Sequence, residues 1–295
     1  MKKRKKRIKP SDFILDAVIT LILIFAFILT IYPVWYVIVA SFATAREVSL
    51  SGGLMLWPKE FIIGGYRKVF EDPFIISGFI NSVKVLIVSL PLNLILTVFC
   101  GYFMACTNMM FKKVIVYMMM FTMYFSGGLI PNYLNIRSLG LMDSFWVLVL
   151  PGAVSVYNAI ICKTAIEAIP GSLQESAYID GANDLQVIWK IFIPLLKPTL
   201  AVLTLYYGVS HWNAWFNASI YIRTKAKLPV QNILRDFLLA NAADVSGGGV
   251  GDTFDPYAEA IKYAAIVIST LPIMCVYPFL QKYFAKGVMI GAVKG

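Results

Sequence analysis

Six stretches of the chain carry no Asp, Glu, Lys or Arg: 17–45, 85–111, 114–136, 144–162, 198–222 and 263–281. Each is long enough to cross a ~30 Å hydrocarbon core, which takes roughly 20 helical residues. Backbone groups in lipid must be satisfied inside their own segment, so the pattern predicts six helices and an all-α polytopic membrane protein. The competing reading, buried helices of a large soluble protein, would need six such runs in one chain. Pro33, Pro91, Pro151 and Pro272 lie within these runs, where each removes a backbone donor and can bend a helix. Such bends serve either packing shape or a gated cavity, and the pattern alone does not choose.

Composition agrees with the pattern. Of 295 residues, 59% are hydrophobic and 14% charged, against about 25% charged in soluble domains, and mean hydropathy is +0.74. The first run far exceeds the roughly 7–15 apolar residues of a signal core, so it reads as an uncleaved anchor. One domain, 13–295, follows a basic tail at 1–12.

The net charge of +10 is a topology signal first. Lys2, Lys3, Arg4, Lys5, Lys6, Arg7 and Lys9 stand beside the first apolar run, where excess Lys and Arg mark the cytoplasmic side. Contact of this tail with phospholipid headgroups is compatible. No aromatic or structured reading surface accompanies it, so nucleic acid is not an expected partner. Placing 1–12, 107–113, 163–197 and 282–295 inside gives them 15 Lys or Arg, against 9 in 46–77, 137–143 and 223–258. Both termini are therefore expected in the cytoplasm. Lys84 and Lys262, at the outer ends of spans, can snorkel.

Cys100, Cys106, Cys162 and Cys275 form no Cys-x-x-Cys pair and fall in or beside spans, so metal and redox roles find no support. The glycine run at 246–251 lacks the Lys-Ser or Lys-Thr of a phosphate loop and reads as flexible loop. No Gly-x-x-x-x-Gly-Lys-Ser/Thr occurs anywhere, so ATP and Mg are not expected on this chain.

The connection 163–197 is far longer than the usual 4–6 residues. Ser172-Leu173-Gln174-Glu175 fits a capping box, predicting a helix over about 173–180. Gly181 can close it in a left-handed conformation. Asn183 or Asp184 can cap a second helix containing Trp189. Pro194 and Pro198 then mark the start of the fifth span. A connection with its own caps predicts a docking element on the membrane surface.

These residues resemble the EAA loop of permease subunits of ATP-binding-cassette importers: Glu-Ala-Ala, three residues, Gly, nine residues, Ile-x-Leu-Pro. Glu175, Ala177, Gly181, Ile191 and Pro194 match, Ser176 replaces the middle alanine and Ile193 the leucine. Asp180 and Ala182 complete an Asp-Gly-Ala resembling that of sugar importers. Ser126–Pro131, Leu139-Gly140-Leu141, Asn158, Ile169-Pro170 and Trp212-Asn213 also resemble carbohydrate-importer permeases of the maltose type, nearest the subgroup carrying oligosaccharides or polysaccharide fragments. The resemblance covers nearly the whole chain. It implies the type I permease fold with a coupling helix that seats in a cytoplasmic ATPase dimer, a second homologous permease, an extracytoplasmic sugar-binding protein and a bacterial cytoplasmic-membrane location. Carried over, Glu175 contacts the ATPase, Ala177 allows close approach and Gly181 makes the turn. Loops 46–77 and 223–258 are the expected surfaces for the binding protein.

The fifth run holds the only histidine, His211, among Trp212, Asn213, Trp215 and Asn217. As a continuous helix, Gly208, Trp212, Trp215 and Ser219 share one stripe, and Tyr206, Ser210, Asn213 and Asn217 another. Polar groups at that depth are costly unless they face the bundle or a wet cavity. Trp and Asn suit the C–H faces and hydroxyls of sugars, but equally suit interfacial anchoring and interhelical hydrogen bonds. Tyr124 and Asn158 are further substrate-path candidates. One histidine with no carboxylate in its span gives no acid/base pair, so no catalytic residue is expected. An ion-driven transporter is the first rival reading; it would usually bury ionisable groups within its spans. A membrane scaffold without transport is the second.

Overall fold

The computed structural model describes residues 10–105, 110–246 and 258–292. The basic run 2–9, Cys106 and glycines 247–249 and 251 lie outside them. The helices are α1 Pro10–Ala40, α2 Ala45–Leu50, α3 Gly64–Glu71, α4 Pro73–Ala105, α5 Lys112–Tyr124, α6 Leu129–Ser138, α7 Val156–Glu167, α8 Gly171–Ile179, α9 Asp184–Val187, α10 Ile193–Leu195, α11 Lys197–Trp212, α12 Phe216–Tyr221, α13 Val230–Ser246 and α14 Ala258–Ala292. Among the described residues there is no strand. The chain divides into two compact units, one from the residues up to Asp72 with Leu238–Ile268, the other from Pro73–Phe237 with the residues from Ser269.

In the first unit α1 exposes nearly every large side chain from Ile14 to Trp35, as a helix that meets lipid does. Its end is tied to the following loop. The Tyr32 hydroxyl donates to the Gly53 carbonyl (2.9 Å), and Trp35 Nε1 donates to that of Leu56 (2.9 Å). Gly65 of α3 lies against the backbone of Ala260, where an added Cβ would sit 2.8 Å from its carbonyl.

In the second unit α4 packs on α7 and α11. Gly101 permits the approach to α7, because a Cβ there would fall 2.9 Å from Cys162 Cβ and Sγ. A line of buried polar residues, Ser89, Asn93 and Thr97, runs along one side of α4 at intervals of four, one helical face.

Among the described residues each of the six uncharged runs carries helix, but not all as single rods. Stretches of α1, α4 and α14 are continuous and apolar enough to cross a membrane. Pro33, Pro91 and Pro272 sit inside these helices. The third run is broken between α5 and α6, which meet at 115°, and Gly128 takes φ +89 at the break. The fourth is a 3₁₀ turn, Phe145–Leu148, a non-helical passage containing Pro151, and then α7. Twelve residues make α7 about 18 Å long, short of a full crossing. The fifth stops at Trp212 and resumes at Phe216.

Candidate functional site

The hairpin is built by local chemistry. α8 begins at Gly171, not at 173, and no side chain caps it. The expected Ser172–Glu175 capping box is therefore absent. Pro170, with φ −57 and extended ψ, sets the N-cap one turn-edge earlier and draws Ser172 into the first turn, where its carbonyl accepts from Ser176 Oγ (2.8 Å). At the other end Gly181 has φ +78. Its N–H donates to Tyr178 O (3.0 Å) and that of Ala182 to Ala177 O (2.9 Å), a Schellman closure. Asn183 then caps α9 in a reciprocal box with Gln186.

Asp184 fastens this hairpin to α4. Its Oδ1 accepts from the hydroxyls of Tyr178 (2.6 Å) and Tyr102 (2.8 Å). These two bonds, Tyr178's first, hold its carboxyl below the usual carboxylate range. Val187, Ile188, Phe192 and Leu196 are buried with Val98, Tyr102, Cys162 and Leu203. Before Pro194 the helix widens to a π turn, Ile188–Phe192, in which Ile193 N–H reaches Ile188 O. Proline crowds the carbonyl four residues back, and the wider turn relieves this.

The predicted docking residues divide between two faces. Ala177, Ala182 and Ile191 pack inward on the apolar cluster, so the close approach Ala177 allows is to the hairpin's own core. Glu175, Ser176, Asp180 and Pro194 are exposed. With them lie three residues the sequence reading did not single out as contacts: Ile179, 87% exposed, Leu185 and Trp189. Large apolar side chains on a polar hairpin were the available signal.

A second locus is a cavity of about 710 Å³ in the second unit. His211, Asn158 and Asn217 line it, together with Ser82, Ser155 and Tyr207. Asn93 Nδ2 lies 2.8 Å from His211 Nε2, and Tyr207 pairs with Thr97 Oγ1 (2.7 Å) while accepting from Ser155 N–H (3.0 Å). The buried Ser89 Oγ and Asn93 Oδ1 have no partner. The α4 seam was legible as spacing but passed over, since it contains no charge.

The remaining candidates lie elsewhere. Trp212 is buried, donates to Ser269 O (2.8 Å) and lines a separate, apolar cavity of about 330 Å³. Trp215 stacks under Arg235, 4.5 Å from its ring centre. Asn213 is exposed where α11 ends, and Tyr124 is 85% exposed at the end of α5. The break at 213–215 dissolves both predicted stripes, because helical spacing does not carry across it. Among the described residues no group of His, Cys, Asp or Glu could hold a metal.

Membrane-length apolar helices with a hairpin fastened to α4 fit a membrane permease. No protein-family model matches the sequence. It is 40% identical, over 93% of this chain and 96% of the other, to the polygalacturonan/rhamnogalacturonan transport system permease YtcP of Bacillus subtilis (strain 168). A crystal structure of a bacterial ABC transporter involved in the import of the acidic polysaccharide alginate contains a chain with TM-score 0.81 and 31% identity, covering 94% of this chain and 98% of that one. A bacterial alginate ABC transporter in complex with alginate pentasaccharide-bound periplasmic protein matches at TM-score 0.54 and 16% identity, over 92% and 93%. The chain belongs to the permease subunits of ATP-binding-cassette sugar importers, which are transport subunits and not enzymes.

Proposed function

We propose that this permease forms half of the translocation path for an oligosaccharide or polysaccharide fragment in a bacterial cytoplasmic membrane. Its hairpin 172–194 takes up the motion of a cytoplasmic ATPase dimer, which binds the ATP and Mg. A second homologous permease supplies the other half, and an extracytoplasmic sugar-binding protein delivers the substrate. Both termini lie in the cytoplasm, in keeping with the excess of Lys and Arg in loops on that side. The names of the relatives support the substrate class, and a neighbour's complex with a periplasmic protein supports the delivery step.

One observation carries the coupling role. The hairpin is fastened to α4 through Asp184, Tyr178 and Tyr102, while Ile179, Leu185, Trp189, Glu175 and Asp180 are exposed on it. Large exposed apolar side chains on a hairpin anchored to α4 fit a protein partner, and the anchor can pass a push to α4. His211, Asn158 and Asn217 are the proposed sugar contacts in the cavity. Trp212, Asn213, Trp215 and Tyr124 belong to the same proposed path but do not line this cavity.

The test is capture of tagged protein from native membranes, wild type beside Ile179→Asp. Wild type should bring down an ATPase, a second permease and a sugar-binding protein, and the variant should lose the ATPase alone. Well-inserted wild type that captures no ATPase under gentle extraction would sink the coupling role. Uptake should survive an uncoupler and fail on ATP depletion; the reverse would favour an ion-driven carrier.

A further inference from the structure

The turn after α6 is locked by an unusual set of bonds. Gly140 takes φ +68 and closes α6, its N–H donating to Arg137 O (3.1 Å) and that of Leu141 to Ile136 O (3.1 Å). Asp143 follows at φ +54. Its carboxylate accepts from the N–H groups of Arg223 and Thr224 (3.0 Å each), from Thr224 Oγ1 (2.7 Å) and from Lys227 Nζ (2.8 Å). Lys227 also donates to the Asp143 carbonyl. The knot joins two distant segments and brings Arg137 and Arg223 to one open pocket of about 560 Å³, lined further by Gly140, Met142 and Asp143.

The charges there do not balance. Asp143 is the acid of the pocket, and both its oxygens are engaged, with Lys227 as its counter-ion. Lys227 and its hydrogen bonds hold the carboxyl well below its ordinary range, so it stays ionised and bound. Neither guanidinium has an acidic partner among the described residues. Two exposed arginines aimed at one concavity repel each other, and an anion between them relieves this. A guanidinium matches a carboxylate with two parallel hydrogen bonds, which a neutral hydroxyl cannot return.

On another face of α6, Asn132 and Asn135 line a separate cavity of about 510 Å³ with Asn217, which also lines the main cavity. The arginine pocket, concave and about 560 Å³, fits a small ligand better than it fits a flat protein partner.

Resting on the importer reading and its orientation, we propose that Arg137 and Arg223 form an outer carboxylate-gripping site that selects acidic, uronate-bearing oligosaccharides. The grip acts at the outer mouth of the path.

The test uses the purified importer complex in phosphatidylcholine nanodiscs, titrated with trigalacturonate and with its fully methyl-esterified counterpart. The two share a backbone and differ in carboxylate charge. Wild type should bind the acid roughly tenfold or more tighter than the ester, the worth of one charge-assisted pair. The preference should shrink as salt rises. R137Q/R223Q should abolish the preference and leave ester binding in place, while R137K/R223K should keep part of it. Equal affinities for acid and ester in wild type, including none for either, overturn the site. An unchanged preference in R137Q/R223Q does the same. A variant that loses both ligands has misfolded, and the two single Gln variants then decide. The importer reading fails separately, by absence of the ATPase from the purified complex.

Discussion

Gly181 offers a way to separate conformation from contact in the hairpin. Its φ of +78 lies where an L side chain is strained, and alanine there costs about 1–2 kcal/mol. No heavy atom lies within 4 Å of where a Cβ would fall, so nothing in this chain adds a clash. The cost is therefore one of holding the Schellman closure, with its bonds from Gly181 and Ala182. If the ATPase accepts only this closed form, apparent affinity falls with the closed fraction, by at most about 5- to 30-fold for Gly181→Ala and by less the more stable the closure is. The assay titrates the captured ATPase subunit against permease in nanodiscs and reads Kd. Gly181→Asn should retain most of the affinity, because Asn enters the left-handed region readily. Gly181→Val should lose more than alanine, being β-branched. The reasoning is refuted if Asn costs as much as Ala, since the loss would then follow side-chain bulk at the interface.

Three other outcomes follow from the packing. Because the folded carboxyl of Asp184 is lowered, its stabilising bonds are full above about pH 4 and vanish as pH drops through the lowered value; protease resistance of the hairpin should therefore fall on acidification in wild type, whereas Asp184→Asn should begin weaker at pH 7 and lack that acid-dependent part. Gly101→Ala should lower the Tm of the purified protein by an amount matching ~1–3 kcal/mol of overpacking, and Gly101→Val more, since the added Cβ meets Cys162 at 2.9 Å; an unchanged Tm would mean α4 and α7 are not held that close. Asn93→Leu leaves His211 without its partner in a mostly enclosed place, at a cost of about 1–3 kcal/mol, read as a lower Tm with reduced uptake; full stability and uptake would remove the α4 seam from the path.

What the sequence made legible was whatever depends on near neighbours. Gly181 and Asn183 act within a turn, and both took the conformations their chemistry asks for. Ser172 did not, because the N-cap is a competition and Pro170, two residues earlier, won it. The absence of charge marked apolar runs but was blind to where a helix stops inside one. The breaks at 125–128 and 213–215 contain no charged residue, so Trp212 and Asn217 were drawn onto one rod and are in fact on two. The cavity partners Asn93, Thr97 and Tyr207 come from helices more than a hundred residues apart. Their polar spacing on α4 could be read; the helix they face could not. Arg137 and Arg223 counted only as charges for topology until Asp143 joined their loops.

The π turn ahead of Pro194 has a consequence for length variation. A turn of this kind absorbs one residue without rotating what lies beyond it, so the helix on either side keeps its phase. Val187, Phe192 and Leu196 are all buried, at separations of five and four. Removing one residue within 188–192 can convert the turn to plain α and leave both arms facing as before. Removing one from the regular part of α11 swings the rest by about 100° and turns the cavity wall away. Tolerance to a single deletion is thus concentrated in the five residues of the π turn, Ile188–Phe192.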